Sequence, residues 1–144
     1  MPKTKPMARD IFHDVVKEAL IEEGWTITHD PLVLLSKDEG GIQTDLGAEK
    51  ILIAEKGLTK IAVEVKSFLN PSIIHDFSKA FGQYQVYLDV LEMTKIDRVM
   101  YLAMPYSVYY FLKQKEYFNY IVQKHKIKFI IFLPKQKKIK AWIE

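Results

Sequence analysis

The segment Lys60-Ile61-Ala62-Val63-Glu64-Val65-Lys66-Ser67 limits the folds open to this chain more than any other. Ile61, Val63 and Val65 recur at a period of two, the period of a strand, and leave Glu64 and Lys66 on the opposite face. Lys56-Gly57-Leu58-Thr59 just before it reads as a hairpin turn, with Ile51–Glu55 as the returning strand. Pro71 opens a helix that runs to about Met93, with Phe77, Phe81, Tyr84, Leu88 and Leu91 as its apolar stripe. A short apolar strand, Val99–Ala103, follows. A hairpin, a helix and then a buried strand call for a mixed sheet flanked by helices.

The rest of the chain fits that frame. Ala8–Glu23 has helical spacing in Ile11, Phe12, Val15, Val16, Ala19 and Leu20, and Gly24 ends it. Trp25–His29 alternates as a strand, and Asp30-Pro31 breaks it. Ser36–Gly41 is a polar turn, and Ile42–Leu46 and Ile51–Glu55 read as short strands or one strand bent at Gly47. Ser107–Gln123 reads as a third helix, and Lys128–Leu133 and Lys140–Ile143 as closing strands. With 144 residues the expectation is one domain over 1–144, with 1–7 a loose tail.

Composition excludes several chemistries. The chain has no cysteine, so disulfides, thiolate zinc sites and cysteine nucleophiles are out. His29, His75 and His125 are scattered without metal-ligand spacing. No apolar run reaches the roughly 18 residues of a membrane span, and the polar N-terminus lacks the apolar stretch of a signal peptide. A cytoplasmic location without membrane contact is the expectation. The net charge is +3, modest for a nucleic-acid binder. Lys135, Lys137, Lys138 and Lys140 crowd the C-terminal end; lysines guarding a hairpin edge is the favoured reading, a phosphate-contacting patch the alternative.

The chemistry concentrates at Glu64-Val65-Lys66. An acid two residues before a lysine arises by chance in a chain with 18 acids, so its place late in a strand, not its presence, carries the signal. On the triplet alone a surface ion pair on a half-exposed strand is favoured. Asp45, with room for a return strand before Glu64, shifts that balance. Magnesium needs only one or two carboxylates plus substrate phosphate. Asp45 and Glu64 are the candidate metal ligands, with the Val65 carbonyl as a further oxygen. Lys66 would serve the attacking water. Glu49 and Glu55 are competing acids. Gln83 and Tyr87, four apart, share a helix face and support the phosphate or belong to the helix core. His13 and Asp14 interrupt the first helix; the solvent side is preferred for both, the site the alternative.

Asp45, Glu64-Val65-Lys66 and Gln83…Tyr87 together resemble the PD-(D/E)xK nuclease superfamily. That resemblance implies a restriction endonuclease-like α/β fold with an αβββαβ core, a Mg2+ or Mn2+ cofactor, and in many members a homodimer that cuts both strands. Thr44 stands where the pattern has proline. A closer likeness spans most of the chain. Asp10–Asp14, Gly24–Pro31, Asp45–Lys50, Ala54–Gly57, Ile61–Phe68 and Gly82–Tyr84 resemble the XisH proteins, cyanobacterial factors linked to excision of the fdxN element during heterocyst differentiation. This implies control of fdxN element excision from DNA, beside a site-specific recombinase and a XisI-type partner. A non-enzymatic module acting through that partner is the second expectation. Its basis is the aromatic cluster Tyr106, Tyr109, Tyr110, Phe111, Tyr117, Phe118 and Tyr120, for which a core role is favoured over an interface.

Overall fold

The computed structural model describes residues 8–29 and 51–144, with side chains from Ile11 to Thr28 and from Ile53 onward. The elements run α1 (Ala8–Glu22), β1 (Thr26–His29), β2 (Ile51–Lys56), β3 (Thr59–Val65), α2 (Ile73–Met93), β4 (Val99–Pro105), α3 (Tyr106–Leu112), α4 (Glu116–His125), β5 (Phe129–Leu133) and β6 (Lys138–Ile143). The strands form one sheet in chain order. β1, β2 and β3 pair antiparallel, β3, β4 and β5 parallel, and β6 closes antiparallel on β5. The tail at 1–7, the turn at Ser36–Gly41, the strand expected at Ile42–Leu46, and Asp45 and Glu49 lie outside the described residues.

Local chemistry sets the joints. α1 ends in a Schellman turn: Trp25 N donates to Leu20 O at 3.0 Å and Gly24 N to Ile21 O at 3.0 Å, with Gly24 at φ +96. Lys56 Nζ then donates to Glu23 O at 2.7 Å, placing a cation at the negative end of the helix. Gly57 (φ 62) takes the first position of the two-residue turn between Lys56 and Thr59, which suits a type II′ hairpin. Ser72 caps α2 by accepting from His75 N at 3.1 Å.

The sheet is covered on both faces. α1 sets Val15, Val16 and Leu20 against Ile61, Val63, Val65, Tyr101, Ala103, Ile130 and Phe132. The other face, with Ile53, Ala62, Met100, Leu102, Phe129 and Ile131, takes Phe77, Tyr84, Tyr87 and Leu91 of α2 and Phe118 of α4. Parallel strands in sequential order joined by crossovers of one hand put their helices on one face, which is why α2, α3 and α4 sit together. β6 reaches back to α1: Trp142 stacks on Trp25 at 5.6 Å and donates from Nε1 to Glu23 at 3.2 Å. Tyr101 packs edge-on against Trp142 and donates to Glu144.

One expected element differs. Ser107–Gln123 is not a single helix but two, α3 and α4, interrupted at Lys113–Lys115. α3 buries Val108 and Leu112; Phe118, six residues beyond Leu112, is off that stripe in a continuous helix. The break re-aims Phe118 into the core, where it meets Phe77 at 4.9 Å, Phe129 at 5.9 Å and Tyr109 at 6.2 Å.

Candidate functional site

Alternation along β3, continued one residue past its end by the Lys66 N–H bond to Ala103 O, puts Ala62, Glu64 and Lys66 on one face, and Ala62 packs in the cluster of α2. Glu64 and Lys66 therefore lie beneath that helix layer. Glu64 is 0 % exposed and Lys66 6 %. This overturns the surface ion pair, because both charges are out of water. Burying an ion costs several kcal/mol even after relaxation, so such groups are held by partners, and both residues have them here.

One stripe of α2, on the same side of the sheet, is largely polar. Asp76, Ala80, Gln83 and Tyr87 follow at spacings of four, three and four, and all are buried. Gln83 and Tyr87 thus face inward as a pair, 6 % and 5 % exposed. Neither the Oε1 nor the Nε2 of Gln83 has a hydrogen-bond partner among the described residues. A buried amide without partners is costly and uncommon in a settled core. Asp76 was not singled out from the sequence, although it stands seven residues before Gln83 and so on the same face. Its carboxylate accepts from Asn70 N at 3.0 Å and from Asn70 Nδ2 at 2.7 Å. Those bonds tie the loop that leaves Lys66 to the first turn of α2. Inside that loop buried Phe68 sits at φ 57, a conformation a bulky residue rarely adopts.

The backbone around Val65 is informative. Lys66 N donates to Ala103 O at 2.9 Å, and Val65 is in register with Ala103. In a parallel ladder the residue between two such bonds directs its own N–H and C=O to the other neighbour. The Val65 carbonyl therefore points toward the β2 side, where the described pairing ends at Ile51↔Glu64.

The other expected residues divide. Glu55 lies opposite Lys60, four positions along β2 from Ile51, and pairs with Arg98 at 3.1 Å. That is about 13 Å from the level of Glu64, so Glu55 does not join it. Asp45 and Glu49 are outside the described residues. α1 covers the opposite face of the sheet; its Asp14 is exposed, while His13 is buried with a partner. Among the described residues no three His, Asp or Glu side chains gather as a metal cluster. Tyr84, on the adjoining α2 stripe, donates to Met100 O at 3.2 Å and accepts from Lys128 N at 3.4 Å. Burial raises its pKa above the ordinary phenol value, with the Lys128 N–H bond opposing. No helix among the described residues is long and apolar enough to cross a membrane.

A family model described as XisH protein matches residues 6–140. Among solved structures, an fdxN element excision controlling factor protein from Anabaena variabilis is similar at 37 % identity and a TM-score of 0.80, over 94 % of this chain and 100 % of that one. An XisH family protein from Nostoc punctiforme is similar at 36 % identity, with the same TM-score and coverage. No curated relative matches.

Proposed function

The chain belongs to the XisH family, and from that premise we propose that it acts in controlled excision of a DNA element as a metal-dependent endonuclease of the PD-(D/E)xK, restriction endonuclease-like kind. The carrying observation is the burial of Glu64 in β3 and of Lys66 just past its end, with Gln83 and Tyr87 buried on the helix that covers that face of the sheet. Burying an acid, an amine and an amide that lacks partners among the described residues costs stability, which points to a role in a site. The order α1-β1-β2-β3-α2-β4 suits the αβββαβ core of that superfamily.

Magnesium or manganese fits these donors: oxygen ligands only, one buried carboxylate, and a strand carbonyl turned to the side from which a second acid would enter. Glu64, the Val65 carbonyl and Asp45 would hold the ion. When bound, it would polarise the scissile phosphate and acidify water. Lys66 orients the attacking water and offsets charge that develops on the phosphate. The Gln83 amide and the Tyr87 phenol donate to phosphate oxygens, which gives a purpose to an amide without partners among the described residues. DNA is the substrate, and a recombinase is a working companion.

The test is cleavage of branched and linear DNA with magnesium or manganese, for wild type, Lys66→Ala and Glu64→Ala. Each variant should lose roughly a hundredfold or more in rate. Equal cleavage by all three on every substrate defeats the catalytic reading.

A second reading keeps the fold as a silent module that binds a XisI-type protein. Tyr117 and Tyr120 of α4, 42 % and 66 % exposed, favour it. Phe118, by contrast, is core and cannot report on a surface. Loss of co-purification in Tyr120→Ala, with no metal-dependent cleavage by the wild type, supports the module.

A further inference from the structure

Beyond the Glu64 site, the face built by α3 and β6 carries aromatic rings and lysines in contact. Tyr106 and Tyr110 are exposed, with rings 6.1 Å apart and tilted by 42°. Lys140 Nζ lies 4.8 Å from the centre of the Tyr106 ring. Beside them, exposed Phe111 has Lys115 Nζ 4.8 Å from its own ring centre.

The position of Lys140 is built. Ile131 pairs with Ala141 and Phe132 with Ile139, so Lys140 is the extra residue of a β-bulge on the edge strand. In a regular strand Ile139 and Ala141 share a face. Here Ile139 packs in the α1-side cluster and Ala141 in the α2-side cluster. The bulge switches faces at Lys140, whose ammonium sits over Tyr106. Guarding the sheet edge explains a lysine on β6, but does not require it to be set over an aromatic ring.

Charge and place agree. From Tyr106 to Ile143 the chain carries nine lysines and one acid, Glu116, although its total is only +3. Tyr106 follows Pro105 at the C-terminal end of β4, and Ala103 is opposite Val65. The array therefore lies at the same end of the sheet as Lys66. β6 is three strands from β3, about 14 Å across.

We propose that Tyr106, Tyr110 and Lys140, flanked by Phe111 and Lys115, form a binding surface for single-stranded nucleic acid. Exposed rings accept any unstacked base, and the lysines take the phosphates. A duplex keeps its base faces stacked and offers them none. Protein interfaces enrich aromatics but deplete lysine, which disfavours a protein on this patch.

The surface is tested apart from cleavage, by fluorescence anisotropy in EDTA with oligo-dT, oligo-U and a DNA duplex of equal length. Wild type should bind at least one single strand more tightly than the duplex; preference for dT or U identifies the strand. Tyr110→Ala should weaken single-strand binding roughly five- to hundredfold and leave duplex binding unchanged. Lys140→Gln should reduce the slope of log affinity against log salt by about 0.7. Both residues are exposed, and thermal unfolding at wild-type temperature verifies that the variants fold. The proposal is overturned if single strands bind no better than duplex, or if Tyr110→Ala binds them like wild type. It is equally overturned if Tyr110→Ala instead abolishes a protein complex seen by sedimentation.

Discussion

Replacing Gln83 by methionine should make the fold more stable and the site less competent. Gln83 is 6 % exposed in the interior of α2, and both its amide atoms lack hydrogen-bond partners among the described residues. Burying an unpartnered amide costs about 1–3 kcal/mol. Methionine has the same unbranched reach and a similar helix propensity, and its thioether asks for no hydrogen bond. A gain of about 1–2 kcal/mol follows. For 144 residues the unfolding entropy at the midpoint is about 0.3 kcal/mol/K, so Tm should rise by about 3–7 °C. Calorimetry or circular dichroism at neutral pH reads that shift, and the cleavage assay should show the matching loss. A fall in stability of more than about 1 kcal/mol would show that the amide is satisfied in the folded protein. The inference that α2 holds it ready for a ligand would then fail.

Three further outcomes are expected. Phe118→Ala should cost about 3–5 kcal/mol in denaturant unfolding, because it removes a fully buried ring with three aromatic neighbours. Lys95→Gly and Lys126→Gly should each add about 1 kcal/mol, since both lysines sit at positive φ (59 and 52) where glycine ends a helix without strain. Stability should be fully present below pH 10 and fall as the pH rises beyond it. Burial raises the Tyr84 phenol above its unfolded value of 10.0, so the fold favours the neutral form and loses that advantage on deprotonation. Burial, then the Glu144 carboxylate, moves Tyr101 the same way. Tyr84→Phe should flatten the alkaline decline in an unfolding series across pH, while costing about 1 kcal/mol at neutral pH.

Period and punctuation made much of this architecture legible. Gly24, Gly57 and Pro71 mark real joints, and the stripe through Phe77, Tyr84 and Leu91 does face the sheet. What escaped was set by layers. Strand alternation shows that Glu64 and Ile61 point opposite ways, but not that helices cover both sides; only the packed sheet reveals Glu64 as buried. The division of α3 from α4 carries no glycine or proline. Its trace is a phase slip between Leu112 and Phe118, which a search for one long stripe averages away. Asp76 was legible by spacing from Gln83, but an acid in the first turn of a helix is ordinary and carries no signal of a site. His13 and Asp14 show that neighbours on a helix do not share a fate: one is buried and the other solvated.

The clasp of Trp25 and Glu23 on Trp142 joins residues up to 119 positions apart. During synthesis α1 is made first and has its hydrophobic face ready, but this part of its berth is translated more than a hundred residues later. Until β6 is made, β5 is an open edge and Trp25 lacks its stacking partner. A chain truncated before Lys138 should therefore expose β5 to neighbouring chains and to chaperones. The bulge that turns Lys140 toward Tyr106 also spoils the last edge for pairing with another sheet, so the late strand protects itself as soon as it docks.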